Sequence, residues 1–225
     1  TDMLHGIQAS GQSDNVIDGN NIQVSNTGIN GDGAQNLSVT NNTFEIGSGR
    51  FISADNAQGE HTYSNNVINI SSGDWLIYVT NTDNVAIENN IQNNAVGNGI
   101  YINNVPAVIT GNLLTTSGRG MEITNQAGTE VTNNTIISSG GDYGVYIADF
   151  SAPIVRHNII HGFQNGIYAD NDLLNYNISY NDLWQISDSL FSGSAMPALI
   201  GEFISQNQNG DPSDIFYNIS MDPLF

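Results

Sequence analysis

An asparagine returns along this chain about every 23 residues, each time between a short β-branched run and another apolar residue. It stands at Asn21, Asn42, Asn66, Asn90, Asn112, Asn134, Asn158 and Asn181, in steps of 21, 24, 24, 22, 22, 24 and 23 residues. A fixed period of this length with strand-like content means one supersecondary unit stacked on copies of itself. The repeat, not local propensity, therefore dictates the architecture.

The sixth repeat serves as a template. Glu130-Val131-Thr132 alternates as a short strand, Asn133-Asn134 makes a turn, Ile136-Ile137 gives a second strand and Gly144-Val145-Tyr146-Ile147 a third. Three strands and one tight corner make a coil. Three residues before the marker, seven of eight repeats are apolar (Val39, Tyr63, Ile87, Ile109, Val131, Val155, Ile178), with Asp18 the exception. Two residues after it, Phe44, Ile68, Leu114, Ile136, Ile160 and Leu183 form a second inward column, broken by Gln23 and Gln92. Asparagine suits the corner because it tolerates left-handed backbone and its amide bonds neighbouring backbone groups. Stacked coil on coil, such amides bond one another as a ladder. Eight coils at the spacing of adjacent strands make a rod on the order of 40 Å long.

The corners Asn41-Asn42-Thr43-Phe44 and Asn133-Asn134-Thr135-Ile136 resemble those of right-handed parallel β-helix proteins, the group that includes pectate-lyase-like and NosD-like repeat proteins. The runs Gly99-Ile100-Tyr101-Ile102, Gly144-Val145-Tyr146-Ile147 and Gly166-Ile167-Tyr168-Ala169 carry the same resemblance, which covers most of the chain. It implies an all-β, right-handed parallel β-helix of about eight coils with an asparagine ladder at one corner. Residues 1–184 are read as the coils, and 185–225 as a loop, short helix and final strand of the same domain. The closing segments Tyr180-Asn181-Asp182-Leu183-Trp184 and Asn218 to Phe225 look like the end of many bacterial and archaeal surface β-helix domains. Between them, Pro197 to Ser205 reads as a short helix, with Leu199, Ile200, Phe203 and Ile204 at helical spacing.

Charge narrows the partners. Lysine is absent and three arginines face 22 acidic residues, for a formal net charge of −19 at pH 7. Such a surface repels nucleic acid and anionic lipid. Only 11% of residues are charged, so this is not the charge-rich composition of a disordered chain. No cysteine is present to staple the fold. No apolar stretch approaches the roughly 18 residues of a membrane helix, so no direct membrane insertion is expected in this segment. The abrupt Asp222-Pro223-Leu224-Phe225 ending is what a piece of a longer protein would show, with an export signal or anchor expected elsewhere.

If the strands flanking the asparagine corner are the second and third of each coil, the Gly-Ile-Tyr-Ile run is the first. By resemblance, its outer face is where β-helix lyases and hydrolases hold their substrates. Aligning coils places Ile52, Tyr78, Tyr101, Glu122, Tyr146 and Tyr168 in one outward column. Rings on a rigid face could stack on sugars while their hydroxyls bond them; equally, they could pack on one another as cross-strand neighbours. Arg119 is taken as the arginine near this column, with Arg50 and Arg156 on other coils. Tyr78, Tyr101, Arg119, Glu122, Tyr146 and Tyr168 are thus the candidate substrate-binding residues.

Nearby acids offer two chemistries. A carboxylate pair could serve as general acid and base in glycoside cleavage at a suitable separation. Alternatively, Asp149, Asp170 and Asp172 could contribute oxygens to a Ca²⁺ site, although no EF-hand or nonapeptide spacing occurs. His157 falls where other corners have asparagine and is read as replacing one rung of the ladder, and His61 has no visible partner. No Gly-x-Ser-x-Gly elbow is present, and no catalytic residue is assigned.

Two function classes remain. A uronate lyase of this resemblance would need basic residues that the chain scarcely has, leaving a polysaccharide-processing enzyme, lyase or glycoside hydrolase, as the alternative. A stiff acidic rod at a prokaryotic cell surface, structural or adhesive, binding polysaccharide or copies of itself, is the preferred reading.

Overall fold

The computed structural model describes residues 5–95, 97–125, 127–149, 151–170 and 177–224. Each coil lays down three short strands, as in Met121–Thr124, Ala127–Thr132 and Thr135–Ser138. Among the described residues, equivalent strands of successive coils pair in parallel, forming a nine-stranded first sheet and eight-stranded second and third sheets. Interior positions stack in register: Ile77 lies on Ile100, then Met121, Val145 and Ile167, all of them fully buried. Both inward columns expected from the repeat are present, with Val39 to Ile178 on the second sheet and Phe44 to Leu183 on the third. Burying an aliphatic side chain of this size stabilises by about 1.5 to 3 kcal/mol, so each coil binds to the next mainly through these columns. Gln92 enters the third-sheet column beside Ile68, and its Oε1 is buried without a hydrogen-bond partner.

Glycine stands at the start of the first strand, where neighbouring coils approach closely. A Cβ at Gly99, Gly120, Gly144 or Gly166 would stand 2.2, 2.4, 2.7 or 2.5 Å from a carbonyl oxygen of the next coil. No side chain fits there.

At the corner between second and third strands, two consecutive residues divide the work. The first is left-handed in every coil: Gly19, Asn41, Asn65, Asn89, Gly111, Asn133, His157, Tyr180 and Tyr217 have φ between 54° and 69°. The second carries the ladder. In each rung the backbone N–H and Nδ2 of one asparagine donate to Oδ1 of the next, as Asn66 does to Asn90 at 3.1 and 2.9 Å and Asn112 to Asn134 at 3.0 and 2.9 Å. Nδ2 also donates to a second-strand carbonyl of the preceding coil, Val39 for Asn66 and Ile87 for Asn112. The ladder therefore runs one way, with donors facing the next rung.

Three expectations about this corner are corrected. The first rung is Asn20, whose N–H and Nδ2 donate to Asn42, while Asn21 begins the third strand opposite Thr43 and is exposed. A slip of one residue exchanges the two faces of a strand, so the apparent exceptions vanish: Ile17 and Ile22, not Asp18 and Gln23, hold the inward positions beside Val39 and Phe44. His157 replaces no rung, because Asn134 donates to Asn158 beside it. A further rung, Asn218, accepts from Asn181 at 3.0 and 3.1 Å after an excursion that breaks the period.

Asp214 ends the ladder. Its Oδ1 accepts from the N–H groups of Phe216 and Asn218, and its Oδ2 from Gly201 N–H and Asn218 Nδ2, at 2.8 to 3.0 Å. An acceptor-only carboxylate meets the last donors of a one-way chain, and four hydrogen bonds offset the cost of its complete burial. The expected helix at Pro197 to Ser205 is absent. Leu199 and Gly201 take φ of 67° and 73°, which no right-handed helix accommodates, and the segment runs through turns into Ser205–Gln206, antiparallel to Pro212–Ser213. No helix among the described residues is long and apolar enough to cross a membrane.

Candidate functional site on the first-strand face

The outward column on the first sheet is present with one correction. Tyr78 pairs with Tyr101, then Glu122, Tyr146, Tyr168 and Ser192 follow rung by rung. Ile52 is not in it: it pairs with Ile77 and is fully buried, and Ser53 holds the outer place beside Tyr78.

The rings pack on one another. Tyr78 and Tyr101 lie 4.8 Å apart at 10°, and Tyr146 and Tyr168 lie 4.9 Å apart at 3°. Strand spacing and aromatic stacking distance nearly coincide, so tyrosines on adjacent rungs stack without rearrangement. Glu122 interrupts the column between the two pairs. In each pair one ring face is thereby covered by its partner.

A second outward column completes each pair. Two successive inward residues, Leu76 and Ile77, bring Trp75 to the same face as Tyr78, and Tyr143 stands likewise beside Tyr146. Trp75 packs 5.3 Å from Tyr101, and Tyr143 packs 5.2 Å from both Tyr146 and Tyr168. Arginine closes the other end: the Arg50 guanidinium lies 3.9 Å from the Tyr78 ring centre, and that of Arg119 4.4 Å from Tyr146. Arg50 is therefore part of this face, contrary to its expected place elsewhere. The face carries one unit twice, Arg50 with Trp75, Tyr78 and Tyr101, and Arg119 with Tyr143, Tyr146 and Tyr168. Three strand spacings, about 14 Å, separate equivalent residues.

Both arginines are ion-paired. Arg50 grips Asp74 with two hydrogen bonds of 2.6 and 3.1 Å, and Arg119 pairs with Glu122. The bond from Arg50 holds the Asp74 carboxyl below its ordinary range. Burial pushes the Tyr78 and Tyr146 phenols up. Tyr168 rises to about 12, through burial first and then its hydrogen bond to Asp170. These hydroxyls stay protonated at neutral pH and can donate; Tyr101 already accepts from Asn103 Nδ2 at 3.3 Å.

Two of the three acids considered for Ca²⁺ lie among the described residues. Asp149 and Asp170 are exposed at the ends of neighbouring first strands, and Asp170 accepts from Ser194 Oγ at 2.9 Å. Asp172 lies outside the described residues. Among the described residues no three His, Asp or Glu side chains converge on a cation position. His61 has partners the sequence hid: its Nδ1 accepts from Leu37 N–H at 3.4 Å and its Nε2 bonds Gln58 O at 3.0 Å, while burial lowers its pKa. It is a neutral core histidine.

Trp75, Tyr143 and Arg50 were missed as members of the face because strict alternation puts residues three apart on opposite sides, and Asp74 joins it through its ion pair with Arg50. The signal was available in the pattern shared by Trp75 to Val79 and Tyr143 to Ile147, where a ring precedes two small or apolar residues and a tyrosine.

A family model described as right handed beta helix region matches residues 1–136 and 70–198. No curated protein and no solved structure matches the chain.

Proposed function

The chain belongs to the right-handed β-helix family, and on that premise we propose that it is an extracellular surface rod, structural or adhesive, whose first-strand face holds a neutral polysaccharide without cleaving it. The observation that carries this reading is the duplicated arginine and aromatic unit. Two equivalent, pre-stacked platforms about 14 Å apart along a rigid axis suit successive stretches of one linear polymer. Rigid rings lose little conformational entropy on contact, and their free edges, end faces and hydroxyls offer apolar and polar contacts together.

Charge supports a neutral ligand. A net charge of −19 opposes a polyanion, and Arg50 and Arg119 are each committed to a carboxylate. Catalysis is disfavoured by the same pairs. A general acid needs a raised pKa, whereas Arg50 stabilises Asp74 as an anion.

Affinity electrophoresis of the intact chain through gels cast with neutral or acidic polysaccharides tests the reading, alongside an assay for reducing and unsaturated ends. Retardation by at least one neutral polymer with no new ends, with or without Ca²⁺, is expected. Release of new ends would replace this reading with a lyase or hydrolase; retardation only by acidic polymers would contradict the ligand class.

A further inference from the structure

Away from the first-strand face, the left-handed corner position changes character along the rod. Six coils fill it with glycine or asparagine, which take this conformation readily. The last three use His157, Tyr180 and Tyr217 at φ of 57°, 58° and 64°. For tyrosine this backbone is strained, and nothing in the interior requires it, because the rings lie outside: Tyr180 is 50% and Tyr217 43% exposed. The rings form a continuous stack, His157 to Tyr180 at 5.1 Å and 13°, and Tyr180 to Tyr217 at 5.1 Å and 12°.

A hydrogen-bonded turn faces this stack. Asn207 Oδ1 accepts from the N–H groups of Asn209 and Asp211, both at 2.9 Å, and its Nδ2 donates to Asp211 at 2.9 Å. Between stack and turn lie two adjoining clefts that share Tyr180, Asn207 and Tyr217. One, of about 310 Å³, is completed by Gln208 and Asn209; the other, of about 330 Å³, continues past His157 and Asp182. Each is at the lower end of the size range of small-molecule sites.

The lining selects the ligand by chemistry. It holds no lysine or arginine, so no permanent cation there balances a phosphate or carboxylate. Asp182 is its one acid, too few for a divalent cation. Aromatic rings on one wall and exposed amides on the other match a molecule with apolar C–H edges and a rim of hydroxyls. We propose that the cleft between the His157–Tyr180–Tyr217 stack and the Asn207–Asp211 turn binds a neutral sugar ring. This site is separate from the first-strand face and does not depend on it.

Tyr217→Asn tests it cleanly, because asparagine is the residue other corners use at this backbone conformation. The intact wild-type chain and the variant are titrated with neutral mono- and disaccharides (glucose, galactose, mannose, maltose, cellobiose), following tyrosine ring resonances by NMR and measuring melting temperature. For at least one sugar, wild type is expected to show saturable shifts at Tyr180 and Tyr217. The variant is expected to bind that sugar about tenfold more weakly and to melt at the same or a higher temperature. The double variant Tyr101→Ala/Tyr168→Ala, altered only on the first-strand face, should bind it as wild type does. Absence of saturable shifts with every sugar, or unchanged affinity in Tyr217→Asn, would overturn the proposal. A lower melting temperature in that variant would do the same, since the stack would then be a packing device.

Discussion

The asparagine corner and the first-strand face obey the same period and have opposite natures. At the corner, rung after rung repeats one residue, since each buried amide must meet the donors of the coil before it and the acceptor of the coil after it. On the face, Ser53, Tyr78, Tyr101, Glu122, Tyr146, Tyr168 and Ser192 succeed one another in equivalent positions. Half-exposed side chains there can draw on water, so no neighbour dictates their identity. A solenoid thus fixes its inner columns by hydrogen-bond satisfaction and packing, and leaves its outer columns free to carry recognition.

The contrast is broken most forcefully from inside the ladder. Asn112→Ala orphans the Asn90 N–H, leaves Asn90 Nδ2 with only its Tyr63 carbonyl partner and removes a donor from the Ile87 carbonyl, and should cost about 3 to 5 kcal/mol of unfolding free energy, measured by urea denaturation. Next comes the terminus. Asp214→Asn sets an NH₂ group against donors, at either Gly201 and Asn218 Nδ2 or the Phe216 and Asn218 N–H groups, with a loss of about 2 to 4 kcal/mol. A loss below about 0.5 kcal/mol in either variant would mean that the ladder is decoration on a core held by apolar columns alone.

His61 gives a smaller and pH-dependent effect. Burial lowers its pKa from the ordinary 6.5, so below that value the unfolded chain binds a proton that the folded chain refuses. Stability contributed by the neutral ring is complete above about pH 6.5 and falls as pH drops toward the lowered folded value. The slope is at most about 1.4 kcal/mol per pH unit for one group. Urea denaturation of His61→Gln between pH 7 and 5 should lack this component; identical pH profiles in the two proteins would show that folding leaves the His61 pKa unshifted, contradicting its burial as a neutral ring.

Most of the scaffold was legible because its constraints recur. Val39 to Ile178 and Phe44 to Leu183 were placed inward from spacing alone, and the structure buries them all. Where a constraint does not recur, the reading slipped or was silent. Asn20 and Asn21 both fit the pattern, and a marker at Asn21 puts Asp18 and Gln23 at the inward positions that Ile17 and Ile22 hold. Asn218, legible as the start of the closing segment, could not be read as a rung because 37 residues, instead of 22 to 24, separate it from Asn181. Asp214 occurs once, since only the last rung needs an acceptor from outside the series. On the face, the column from Tyr78 to Tyr168 could be aligned, but Ile52 was set one residue out of register, for Phe51-Ile52 lacks the Gly-Ile-Tyr frame. Arg50 and Trp75 depended on two consecutive inward residues, a departure from alternation that the period alone does not announce.

The most direct test of the division between scaffold and face is polysaccharide retention measured against unfolding free energy for Tyr101→Ala/Tyr168→Ala, which removes the last ring of each stack. With the neutral polymer that retards the wild type, the account predicts at least about a tenfold loss of affinity with less than about 3 kcal/mol lost in stability, since each stacked pair contributes roughly 0.5 to 1.5 kcal/mol beyond its area burial. Unchanged retention in a folded variant would contradict it and return the tyrosine column to packing alone.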